Sequence, residues 1–311
     1  AGIKRTTPGE WRTLADNVYR SMGSPTTGDH AQMVADMKKV HAAADLLGTQ
    51  TNWEKETIEL GYIQNYQMSV TGGSKSVSYY AGGSFLDEKG IVITDRYKKF
   101  NLNTKVDVRV NEKLDFGITV NATVDKQRVY RSGTQSNINQ VVRDALYLPV
   151  RHTAETIEYA RLVNPNLNIG DYAHESHFAK VPYNGEYINL KNAGGNNGIS
   201  TTLERFDYHN NIKVYGNAYL QYKPVKGLIL KTSFGGYASM YDNDFYQSSL
   251  AHNNGQTSGQ YKTKKVIDWL NENIATYTPE LGKDHSLSIL AGFTVQRTDG
   301  YSSNMTASGF P

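Results

Sequence analysis

The sequence predicts an all-β protein: part of a transmembrane antiparallel β-barrel, with a short helical N-terminal segment. Three observations carry this. From residue 62 onward, apolar and polar residues alternate with period two. The joins between the alternating runs are by turns tight and long. The mean hydropathy is only -0.56, and no apolar stretch approaches the ~18–20 residues of a membrane helix. A barrel wall tolerates so low an average because every second residue of it faces a wet interior.

Taken in chain order, residues 1–60 differ from the rest. Thr7-Pro8-Gly9-Glu10 reads as a helix start, and Trp11, Leu14, Val18 and Met22 follow at helical spacing. A second helix is predicted from Asp29, as N-cap, through Met33, Val34, Met37, Val40, Ala44 and Leu47, with Gly48 as its stop. These positions read as a core-facing stripe rather than a cofactor box.

Eight strands follow, at about 64–72, 76–86, 97–110, 114–126, 208–222, 228–241, 264–278 and 286–297. In the third, Phe100, Leu102, Val106, Val108 and Val110 share one face; Asn101, Asn103, Lys105, Asp107 and Arg109 share the other. In 114–124 every second residue is apolar. The seventh is less clean, since Asn271 and Asn273 share the face of Trp269 and Tyr277. Alternation alone fits a soluble sandwich equally well. The joins discriminate: 73–75, 111–113 and 223–227 are tight, 279–285 is fairly short, and 87–96, 127–205 and 242–260 are longer. Short turns on one side and long loops on the other are the habit of outer-membrane barrels, and a loop as long as 127–205 is foreign to a compact soluble domain. The chain accordingly divides into a helical segment (1–60), barrel hairpins (61–126), a long external loop (127–206), further hairpins (207–298) and the start of another external loop (299–311).

Composition removes other classes. Lys+Arg 33 against Asp+Glu 30 leaves no polybasic footprint for nucleic acid. The absence of cysteine excludes disulfide frameworks, thiolate metal sites and cysteine nucleophiles. No nucleophile elbow, phosphate-cradling loop or carboxylate pair stands in a plausible context, so neither a catalytic nor a cofactor-binding residue is assigned and the chain reads as no enzyme. His174-Glu175-Ser176-His177 falls one residue short of the spacing that sets two imidazoles on one helical face. Asn164, Asn166, Asn168 and Glu175 echo a calcium loop, but Ile169 stands where the turn glycine belongs. No metal site is assigned.

With the hairpins placed, the wording of the sequence resembles that of SusC/RagA-like TonB-dependent transporters. The resemblance rests on Thr51-Asn52-Trp53, Ile63-Gln64-Asn65-Tyr66-Gln67-Met68-Ser69-Val70-Thr71-Gly72-Gly73-Ser74 and Ser78-Tyr79-Tyr80-Ala81-Gly82-Gly83-Ser84-Phe85. It continues in Tyr97-Lys98-Lys99-Phe100-Asn101-Leu102-Asn103, Leu114-Asp115-Phe116-Gly117, Val225-Lys226-Gly227-Leu228 and His285-Ser286-Leu287-Ser288-Ile289-Leu290-Ala291-Gly292-Phe293. It covers roughly 51–128 and 200–297. It implies part of a 22-stranded barrel in the bacterial outer membrane, importing glycans or peptides with a SusD-like surface lipoprotein as lid. TonB would act through a plug and TonB box that are not found in this sequence. Eight strands suggest an internal portion of such a barrel, with residues 1–60 an external helical loop segment between its first and second strands. The alternative is a soluble or cell-surface β-rich binding module of adhesin type.

Two groups of side chains are candidates for contact. Lys105, Asp107, Arg109, Asp115, Lys213 and Lys231 sit on the wet face, where they line a lumen or neutralise one another. In the long loop, Tyr147, Tyr159, Arg161, Tyr172, Phe178 and Tyr183 are the substrate- or partner-contact candidates, in company with Tyr130, Arg131, His174, His177 and Tyr187. Rings and a guanidinium stack on a glycan or peptide, but long ordered loops also need a core of their own.

Overall fold

A computed structural model describes residues 29–129, 147–190, 197–251, 255–282 and 284–310, together with Glu10, Thr13, Asn17, Arg20 and Ser21. Trp11, Leu14, Val18 and Met22 of the first predicted helix, and Tyr130 and Arg131, lie outside the described residues. The second helix forms as α1 (Asp29–Asp45) and ends at Gly48, whose φ of 63° is the left-handed conformation that glycine adopts at no steric cost. A short α2 (Trp53–Thr57) follows, capped by the Asn52 side chain, which accepts from the Lys55 N–H.

Eight long strands then make one antiparallel sheet. They are β1 (Tyr62–Gly73), β2 (Val77–Lys89), β3 (Arg96–Asn111), β4 (Leu114–Arg128), β7 (Arg205–Tyr222), β8 (Leu228–Gln247), β9 (Ser258–Tyr277) and β10 (Ile289–Ser308). Each pairs with its neighbour in sequence, and the sheet is open, with β1 and β10 as edges. Between β4 and β7 come α3 (Ala154–Arg161), the hairpin β5 (Val181–Tyr183) and β6 (Glu186–Ile188), and α4 (Gly198–Leu203). Despite that insertion β4 and β7 pair from Leu114↔Tyr222 to Arg128↔Tyr208.

The register makes the two faces explicit. Phe85, Phe100, Val124, Ile212 and Met240 follow one another across β2, β3, β4, β7 and β8 on one face. Val106, Ile118, Ala218 and Phe234 form a parallel row nearer the tight turns. Among the described residues nothing covers this face: Met68 is 83% exposed, Phe234 53% and Phe293 66%. A soluble sandwich would bury such a band under another layer. In hydrocarbon it needs none, so this is the lipid-facing side. Asn271 and Asn273 stand on it too, but satisfy themselves locally: Asn273 Nδ2 donates to Asn271 Oδ1 at 2.7 Å, and Asn271 Nδ2 to the Ser233 carbonyl at 2.9 Å.

The tight turns are set by local chemistry. Ser74 Oγ accepts from the N–H groups of Ser76 and Val77, and Asn111 Oδ1 accepts from Lys113 N–H at 2.8 Å. Gly227, with φ 79°, closes the β7–β8 turn; a Cβ there would run into the Thr278 carbonyl.

Two expectations need correction. The last strand does not stop at 297: β10 runs to Ser308, paired with β9 as far as Ser258. Residues 299–308 are therefore wall, not the start of an external loop. Likewise β8 and β9 extend past their predicted ends, so the join 248–257 is no longer than the opposite join 278–288, and the strict tight–long order lapses there. The reason is common to both. Above the hydrocarbon, strands keep pairing through their backbones, but the outward face no longer has to be apolar and the period-two signal fades.

Candidate functional site

The buried core of this chain sits at the loop end of the sheet rather than on it. Ala43, Ala44 and Leu47 of α1, Trp53 of α2, and Leu148, Ala173, Phe178, Val181, Leu190 and Ile199 of the long loop pack together. Met33 and Val34 have no described side chains, but Val40, Ala44 and Leu47 face this core as the helical stripe requires. Two segments about a hundred residues apart in sequence thus form one folded cap. Thr51 Oγ1 ties them, donating to the Leu148 carbonyl at 2.7 Å, as does Thr49 Oγ1 to the Tyr147 carbonyl.

Apart from the Ser176 hydroxyl, which is buried without a partner, the polar side chains that follow are paired inside the cap. Asn197, fully buried, donates from Nδ2 to the carbonyls of Val150 (2.8 Å) and Ala173 (2.9 Å). Its Oδ1 accepts from the N–H groups of Ile199 and Ser200, capping α4. One side chain therefore joins three stretches of loop. His152 and His177 stack with centroids 5.1 Å apart, and His152 Nε2 lies 2.8 Å from His177 Nδ1. Burial, with His177 beside it, pushes His152 down to about 4, so His152 is neutral at physiological pH. His174 Nδ1 accepts from Asn197 N–H at 3.2 Å. Among the described residues no three histidines and carboxylates are placed to hold a metal ion; these imidazoles are hydrogen-bonding members of a packed interior. Asn164 and Asn166 close local turns, Asn164 Oδ1 accepting from Asn166 N–H at 3.1 Å, while Glu175 is buried in the cap.

The six loop residues predicted for contact separate accordingly. Phe178 is fully buried and Tyr172 is 5% exposed, so neither can meet a molecule outside the cap. That corrects their assignment: they are core. Tyr172 lies under the Arg151 guanidinium (3.9 Å) and its hydroxyl donates to Glu204 Oε1 at 3.1 Å. Tyr147, Tyr159 and Tyr183 pack half-buried against the core, and the Tyr147 hydroxyl donates to the Leu190 carbonyl, its titration raised by burial and by Glu175. Arg161 alone is exposed, its Nε donating to the Leu167 carbonyl at 2.9 Å. Pattern reading missed His152 and Asn197. Asn197 before Gly198 was a legible N-cap signal; His152 had none.

The inward face of the sheet is a polar ladder. Asn101 Nδ2 donates to Ser84 Oγ and Thr123 Oγ1 to Asn101 Oδ1, both at 2.9 Å, linking β2, β3 and β4. Lys105 pairs with Asp107 at 2.9 Å and Arg109 with Asp115 at 3.8 Å. Lys231 lies 5.0 Å from the Tyr219 ring centre. The charges on this face thus largely neutralise one another beside a water-accessible space.

No protein-family model matches the chain. Curated relatives do: three TonB-dependent receptors of Formosa agariphila, 24–25% identical over 76–79% of this chain. The chain spans only 20–23% of their length. Among solved structures, the RagAB peptide transporter overlays with TM-score 0.64 at 17% identity, covering 98% of this chain and 33% of that one. The RagAB peptide importer in its closed-closed state gives 0.67 over 96% and 33%. At that identity the overlay speaks for the fold: this sheet has the form of a transporter-barrel wall.

Proposed function

We propose that this chain, a SusC/RagA-like, TonB-dependent-receptor-type segment of a bacterial outer-membrane β-barrel and not an enzyme, supplies wall and external cap to an energy-coupled importer. The cargo is a glycan or a peptide, and a SusD-like surface lipoprotein closes over the loops. One observation carries this reading: a continuous lipid-facing band and an inward polar ladder share the same strands, and a folded cap stands at their loop end. A surface adhesin needs the cap but has no use for the band. Within this division of labour the wall is scaffold, the exposed cap surface near Arg161, Tyr183 and Tyr187 meets cargo or lid, and a plug outside these residues passes on the pull of TonB.

The test is uptake by cells carrying the whole protein of which these residues are part. Oligosaccharide or oligopeptide pools should enter only while TonB is functional, and a surface lipoprotein should co-purify with the protein. Uptake that persists without TonB overturns the proposal.

A further inference from the structure

The lipid-facing side carries a second feature, just beyond its apolar band at the external ends of β2, β3, β4 and β7. The last apolar row is Phe85, Phe100, Val124 and Ile212. Two residues further out, the same face presents Asp87, Lys98, Lys126 and Asn210; two more bring Lys89, Arg96, Arg128 and Tyr208. Lys98 is directly opposite Lys126, Arg96 opposite Arg128, and Lys89 opposite Arg96. Like charges directly opposite on one face of a strand pair destabilise it, so this block of five cations works against the sheet that holds it.

Neutralisation is one-sided. Asp87 takes up Arg96 at 2.9 Å and Lys98 at 3.7 Å, and Glu59 takes up Lys89 at 2.6 Å. Among the described residues Lys126 and Arg128, on β4, form no ion pair. The Lys126 ammonium lies over the Tyr208 ring at 5.0 Å, and the Arg128 guanidinium over Phe206 at 4.8 Å. Arg128 Nη2 donates to the Arg205 carbonyl at 3.1 Å, but its Nε is buried without an acceptor. The five cations and Tyr208, together with Glu59, Thr94 and Asp95, wall a cleft of about 470 Å³, in which the cations outnumber the carboxylates.

We propose that this cleft holds the phosphate-bearing headgroup of an outer-leaflet lipid. The inference rests on the outer-membrane placement above. The two charged rows lie ~7 and ~14 Å along the strand from the last apolar row, and less than that in height because barrel strands tilt. That is headgroup depth, with the hydrocarbon band directly beneath for the acyl chains. Phosphate oxygens satisfy lysine and arginine together through charge-assisted hydrogen bonds and would relieve the opposed pairs. A free anion would use the charges and leave the adjoining band and aromatic floor unused; an amphiphile uses all three. Basic pockets at membrane interfaces are a recurring device for phosphorylated headgroups.

The whole protein carrying this chain is to be placed in phosphatidylcholine nanodiscs doped with lipid A or with dephosphorylated lipid A, re-extracted in detergent, and its retained lipid counted by native mass spectrometry. The wild-type protein should retain the phosphorylated form over the dephosphorylated one by roughly tenfold or more. K126Q/R128Q should lose that preference, K126R/R128K should keep it, and excess inorganic phosphate should leave the lipid in place. Equal retention of the two lipids by the wild-type protein overturns the proposal without any variant. Displacement of lipid A by inorganic phosphate overturns it in favour of a free-anion site. Failure of folded wild-type protein to enter the discs would instead overturn the membrane placement itself.

Discussion

The cap and the membrane sheet use the same apolar residue types to opposite ends. In the cap, Trp53, Leu148 and Phe178 are wholly removed from solvent by other parts of the chain. In the sheet, Phe116, Phe100 and Phe293 are 37%, 49% and 66% exposed and touch no covering layer. The cap therefore draws its stability from protein packing and from polar groups satisfied inside it. The sheet draws its own from backbone pairing and from a solvent that is itself apolar. An exposed phenylalanine is a defect in water and a requirement in lipid, and only the surroundings tell the two apart.

Four experiments break or sharpen that contrast, in falling order of effect. Phe178→Ala should empty the middle of the cap and cost it about 3–5 kcal/mol. Hydrogen exchange should then rise in 147–190 and 197–204 and stay unchanged in β3 and β4; equal loss in both regions would mean that cap and sheet fold as one unit. Phe116→Arg leaves the cap untouched but sets a charge in hydrocarbon, costing about 2–4 kcal/mol in bilayers. Refolding into vesicles measures it, and a cost near zero would show that this face does not meet lipid.

The third is a pH titration of the cap. His152 titrates near 4 in the folded cap against an ordinary 6.5, so the unfolded chain takes up the proton first. The stability it contributes is complete above pH 6.5 and is lost as pH falls from there to 4, by at most about 3 kcal/mol. Protease resistance of the cap should fall through that window, and His152→Gln should flatten the dependence. The smallest effect is expected from Lys105→Ala on the inward face: its pairing with Asp107 is more than half exposed on the lysine side, and such pairs are worth about 0–1 kcal/mol. Denaturant midpoints should hardly move.

How far the sequence could be read followed the same division. Period-two alternation located β1 to β4 and β7 to within a few residues, because one face in lipid and one in water leave a strict signature in Phe100–Val110 and Leu114–Val124. The same signature breaks up over Thr298–Ser308, where Tyr301, Met305 and Ala307 share their face with Asp299 and Ser303 while β9 and β10 still pair. The candidate contact residues of the loop were chosen by residue type, and type could not tell Phe178 in the cap interior from Arg161 on its surface.

By itself, then, the sequence determined the hairpins, the face each side chain takes and the lipid-facing direction, since these follow from local period and from the cost of charge in hydrocarbon. Only the tertiary structure decided what distant residues do together. It brought α1 and α2 onto a loop about a hundred residues later, turned predicted contact residues into core, and set Lys98 opposite Lys126 and Arg96 opposite Arg128. Register and packing are relations between segments, and no single segment's pattern contains them.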